Sequence, residues 1–100
     1  IKSDYFFSMD KNKAKSHAID ALLWLANNQQ SLEMFLNVSG ANAEDLRVRA
    51  QDAEFLAFVL DFFMTSDELI MSLSEDLKIS PEQLNIARST LSGGELPNWT

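Results

Sequence analysis

The sequence has no cysteine, and only three glycines and two prolines in 100 residues. Without cysteine there are no disulfides, thiolate zinc sites, iron–sulfur clusters or cysteine nucleophiles, and a reducing compartment is the natural setting. So few chain-breakers exclude collagen-like and low-complexity chains. Long apolar runs are also missing. Ala21 to Ala26 and Phe55 to Leu60 span six residues each, far short of the roughly 20 needed to cross a bilayer. Lys2 is followed by Tyr5, Phe6 and Phe7 and then by charge, so no apolar signal region with a small-residue cleavage site is present. These absences predict a cytoplasmic protein with no transmembrane segment.

Positive charge is scarce as well. Eight basic residues stand against fifteen acidic ones, a formal charge of −7. Four of the lysines fall within residues 1–15, beside only Asp4 and Asp10. No basic residue lies between Arg49 and Lys78, a stretch holding Asp52, Glu54, Asp61, Asp67, Glu68, Glu75 and Asp76. Such a surface repels phosphate backbones, which argues against nucleic-acid binding; it would attract a basic partner, and a net charge of this size also simply keeps a small protein soluble.

What is present is helical patterning. Ala14, Ala18, Ile19, Ala21, Leu22, Leu23, Leu25 and Ala26 share one broad face of a 3.6-residue wheel, opposite Ser16, His17, Asp20, Asn27 and Asn28. A first helix therefore starts near Lys13 and ends at Asn27-Asn28. A second, from Ser31 to about Asn37, turns Leu32, Phe35 and Leu36 inward and stops at a left-handed Gly40. Asn42 caps a third that runs to about Gln51. Residues 53–64 are apolar except for a narrow stripe of Glu54, Ala57 and Asp61, which marks a central helix. Thr65 with Glu68 has capping-box spacing and opens a fifth, with Leu69, Ile70, Leu73 and Leu77 inward. Ser80-Pro81 opens a sixth that buries Leu84, Ala87 and Leu91 before Gly93-Gly94. No segment alternates with period two, and no Asn-Gly or Asp-Gly hairpin occurs.

The expectation is an all-α fold, a compact single-domain bundle of five to six short helices around the apolar helix at about 53–64. Residues 1–12 read as an arm, 13–94 as the helical domain and 95–100 as a tail. A weak echo at a shift of 37 pairs Leu22, Leu23, Leu25, Leu32, Met34 and Leu36 with Val59, Leu60, Phe62, Leu69, Met71 and Leu73.

Chemistry finds few footholds. His17 is the only histidine, with Ser16 beside it and Asp20 one turn on, but adjacent helical residues diverge by about 100°, so Ser16 is badly placed for His17 to deprotonate. Asp10-Lys11-Asn12 begins like a calcium loop and then fails, with Lys15 in place of the glycine and Ala21 in place of the final glutamate. No glycine-rich phosphate loop exists. Acidic pairs such as Glu44-Asp45 and Asp67-Glu68 suit helix N-termini. Asp61, alone among apolar neighbours, reads as a solvated stripe residue, the other option being a pair with Arg47 or Arg49. No catalytic, cofactor or metal residue is assigned.

Apolar groups on polar faces remain. Trp24 shares an arc with His17 and Asp20, and Tyr5, Phe6 and Phe7 have no helical slot. Met34, Met71 and Ile86 fall outside the main stripes of their helices. Exposed together, such residues form a partner contact.

Phe55-Leu56, Val59-Leu60-Asp61-Phe62-Phe63 and Asp67-Glu68-Leu69 resemble a family of small alphaproteobacterial proteins of unknown function. Ala21-Leu22 with Trp24-Leu25-Ala26, Phe35-Leu36 with Gly40, Leu46-Arg47, and Leu91-Ser92-Gly93-Gly94 with Pro97 and Trp99 extend the resemblance over most of residues 18–99. Where that family starts a helix with proline, this chain has Asp52-Ala53. The resemblance implies one helical domain in a bacterial cytoplasm and carries no activity.

The leading expectation is a non-enzymatic interaction or regulatory module, without cofactor, that contacts a protein partner or a second copy of itself through Tyr5, Phe6, Phe7, His17, Asp20 and Trp24. A second is a small ligand binder or enzyme with a pocket near His17, Asp20, Arg47 and Asp61. A third has the lysine-rich arm touching anionic lipid.

Overall fold

The structure, a computed structural model, describes residues 9–91. Those residues form six helices and no strand: α1 (Lys11–Ala26), α2 (Gln29–Ser39), α3 (Asp45–Arg49), α4 (Ala53–Met64), α5 (Asp67–Leu77) and α6 (Pro81–Leu91). The fold is all-α, a single small domain. Tyr5, Phe6, Phe7, Gly93-Gly94 and Trp99 lie outside the described residues.

Side-chain caps set the helix starts. Asp10 accepts from the Lys13 amide at 2.8 Å, which begins α1 at Lys11, two residues before the apolar pattern does, and within the stretch read as an arm. Asp52 caps α4 through the Glu54 amide and Ser80 caps α6 through that of Gln83. The expected cap at Thr65 is corrected to Ser66. Thr65 has helical backbone angles and closes α4, its hydroxyl donating to the Phe62 carbonyl at 2.7 Å. Ser66 is extended and accepts from the Leu69 amide. Two tandem hydroxyls leave both readings open in sequence, and the two-residue link decides.

Helix α4 is the centre, with seven of its twelve residues buried. Helices α1 and α6 pack on it and on each other, and the small residues Ala14, Ala18, Ala21 and Ala87, all fully buried, let the axes approach closely. Leu84 and Leu91 complete the contact. The buried face of α1 is narrower than expected: Ile19 and Leu23 are exposed, Leu23 by 57%. Burial follows the row Ala14, Ala18, Ala21, Leu25, with Leu22 beside it. On α4 the solvent row is Glu54, Phe58, Asp61, with Ala57 buried instead. Side-chain size alone would have reversed Ala57 and Phe58; the position of the neighbouring helices rules.

The chain repeats its architecture at 38 residues, one more than the sequence echo. Helices α1 and α4 are each followed by a two-residue link and then by an eleven-residue helix, α2 or α5. Both of these end in a left-handed residue, Gly40 (φ 74°) and Lys78 (φ 59°), and the next residues, Ala41 and Ile79, are both buried. At this spacing Ala18 matches Leu56, Ala21 Val59, Leu22 Leu60, and Leu25 Phe63, all buried. Phe35 and Leu73 are the sole buried residues of α2 and α5. A shift of 37 would pair exposed Leu23 with buried Leu60. Adjacent leucines let a type-only match slide by one residue, which burial does not allow. The halves diverge in their third helices: α3 is five residues with none buried, whereas α6 enters the core.

Candidate functional site: an open trough between α2 and α4

Helix α2 meets α4 mainly through Phe35, whose ring lies 5.3 to 5.9 Å from those of Phe55, Phe58 and Phe62. A single large side chain bridging two helices holds their backbones apart, and a trough opens beside it. From α2 it is lined by Met34, Asn37 and Val38, and from α4 by Phe58, Asp61 and Phe62, with Thr65 at the end. Its volume is ≈ 500 Å³. A second depression of ≈ 420 Å³ shares Val38 and Phe58 and carries the trough on to Asp52 and Glu54, with Arg49 on its flank. Met34 is 49% exposed, Val38 64% and Phe58 36%. These apolar groups face water together.

At the polar edge, Asp61 pairs with Arg88 of α6. The Arg88 Nε donates to Asp61 Oδ1, and Nη2 donates to Oδ2 at 3.2 Å. That hydrogen bond and the aspartate charge hold the guanidinium pKa above its ordinary value. Asp61 is thus half-buried and paired, and its partner comes from α6, not from Arg47 or Arg49. Arg49 lies over the Phe55 ring at 5.7 Å.

Trp24 is engaged inside the molecule. Its Nε1–H donates to Asp76 Oδ2 of α5 at 2.6 Å, and its ring sits edge-on to Phe63 at 5.4 Å. The repeat gives this contact a counterpart in the trough. Thirty-eight residues after Trp24 comes Phe62, and thirty-eight before Asp76 comes Val38. A tryptophan and an aspartate tie α1 to α5; a phenylalanine and a valine at the matching places give α2 and α4 no such hydrogen bond.

His17 is partly buried on α1, and its Nε2 has no hydrogen-bond partner among the described residues. Burial, and then the charge of Lys13, lower its pKa from the ordinary 6.5, against an opposing pull from Asp20. Asp20 is exposed. Of His17, Asp20, Arg47 and Asp61, only Asp61 lines the trough. Among the described residues no three of His, Asp and Glu gather to hold a metal ion, and no helix is long and apolar enough to cross a membrane.

Sequence reasoning placed Met34 outside its helix's stripe but missed Val38 and Phe58. The signal for Val38 was present, one turn after Met34 on the same face. Phe58 carried one too, set between Glu54 four residues before and Asp61 three after on the same face, against the pull of its own apolar type.

The family described as Protein of unknown function (DUF3572) matches residues 11–94. The chain belongs to that family. The matched span runs from the first residue of α1 to just beyond α6, so the DUF3572 domain comprises both halves of the repeat and the whole trough. No curated protein and no solved structure matches the chain.

Proposed function

We propose that the DUF3572 domain acts by contact rather than catalysis, as an interaction module whose docking surface is the α2–α4 trough. The observation that carries this reading is the joint exposure of Met34, Val38 and Phe58 along one apolar depression. Exposed apolar side chains gathered in a concavity cost solvation free energy that a partner recovers. The trough replaces the Trp24 arc as the contact, because the Trp24 indole already has its partners within the fold. A cytoplasmic, alphaproteobacterial setting belongs to this reading and rests on the family resemblance.

The test uses peptides selected from a random displayed library on the purified protein, followed by methyl NMR of the methionines. Selected peptides shift the Met34 resonance and leave Met71, exposed on α5, in place. Peptides that perturb Met71 and not Met34, or selections that yield no binder, overturn the reading.

A further inference from the structure

We propose that the occupant of the trough is a cationic amphipathic helix of a partner protein. The inference rests on the docking reading above and adds the partner's chemistry.

Length comes first. The trough follows the chain from Glu54 to Thr65, eleven steps of about 1.5 Å each, so it accommodates about three turns of a facing helix. Apolar side chains at i, i+3 or i+4, and i+7 of that helix would meet Met34, Val38 and Phe58.

Charge selects the sign. Neither wall helix contains a lysine or arginine; α2 carries Glu33, and α4 carries Glu54 and Asp61. Of the two cations at the edges, Arg88 and Asp61 neutralise each other in their ion pair, and Arg49 keeps its charge over the Phe55 ring beside Asp52 and Glu54, so the lining retains a small net negative charge. The whole chain, these residues included, carries a net −7. Basic residues flanking the apolar stripe of the incoming helix are drawn to this field, and an acidic helix is repelled. A second copy brings the same −7 and the same acid-walled trough, which disfavours self-docking.

The repeat supplies the third support. The matching helices α1 and α5 are joined by the Trp24–Asp76 hydrogen bond, whereas Phe62 and Val38 hold the corresponding places in the trough without a polar tie. One half of the molecule makes this tie within the chain, and the other leaves it to a bound segment.

The experiment measures fluorescence anisotropy with three labelled fourteen-residue probes: a leucine/lysine helical peptide, the same composition with its apolar spacing scrambled, and a leucine/glutamate counterpart. Each is titrated with the wild type, Val38→Lys and Met71→Lys. Both substitutions add one charge at an exposed site, and circular dichroism checks that each variant folds. The proposal expects the leucine/lysine helix to bind best, Val38→Lys to weaken it at least tenfold, and Met71→Lys to change it less than threefold. Equal losses in the two variants, or equal binding of the scrambled peptide, would mean bulk charge attraction and overturn it. Leucine/glutamate binding that shifts the Met34 methyl keeps the trough as a docking surface and overturns the cationic partner. No probe shifting Met34 overturns both readings. Sedimentation showing a wild-type dimer that Val38→Lys dissociates assigns the trough to a second copy and likewise overturns the proposal.

Discussion

His17 shows how one side chain couples this fold to pH. Burial and Lys13 hold its ring below the ordinary pKa of 6.5, so as pH falls the unfolded chain takes up the proton before the folded one does. The folded state therefore loses stability from about 6.5 downward, until the partly buried ring itself is protonated. Glutamine at this position has no proton to gain. Urea denaturation at pH 7.5 and 5.5 will show a larger fall in midpoint for the wild type than for His17→Gln; equal falls would place the pH dependence on the carboxylates. The sequence marked His17 as the lone histidine, but the absence of a partner for Nε2 depends on what packs around α1. Asp61 repeats the lesson. Its isolation among apolar residues was visible, while its partner, Arg88, stands 27 positions away on a helix whose approach no local pattern encodes.

At the scale of the element, local chemistry carries most of the information. Gly40 stops α2 in the left-handed conformation, and Pro81 follows the cap Ser80 as the first residue of α6, both as their residue types require. At the α4–α5 link the capping-box spacing points to Thr65, and the structure places the cap one residue on. With Ser66 as the cap, Ser66→Ala removes the acceptor for the Leu69 amide and costs about 1 kcal/mol. Thr65→Ala loses only a hydroxyl donating to an already helical carbonyl, and will cost less. Thermal or chemical denaturation of the two variants ranks them, and the reverse order would restore Thr65 as the cap. The exposed row of α4 was misread for a related reason. A helix apolar on nearly every side does not reveal which apolar residue meets water, and Phe58 was assigned inward on its type.

On the scale of the whole molecule, two similar halves are fused, and their third helices differ. Phe35 is the only buried residue of α2 and touches three phenylalanines of α4. Phe35→Ala therefore both opens a cavity and unfastens the helix, with an expected cost of about 3–5 kcal/mol. That is a large share of the roughly 5–15 kcal/mol that a domain this size possesses. Urea unfolding will measure it, and hydrogen exchange will show α2 amides losing protection ahead of those in α1 and α6; uniform loss would mean that α2 does not depend on this one contact. Helix content, the stop at Gly40 and the central place of α4 follow from the sequence, because apolar periodicity, caps and left-handed residues act over a turn or two of chain. The 38-residue register, the Asp61–Arg88 and Trp24–Asp76 pairs, and the open trough came only from the tertiary structure. They depend on which helices meet and how far apart a phenylalanine holds them, and residue spacing along one helix does not contain that distance.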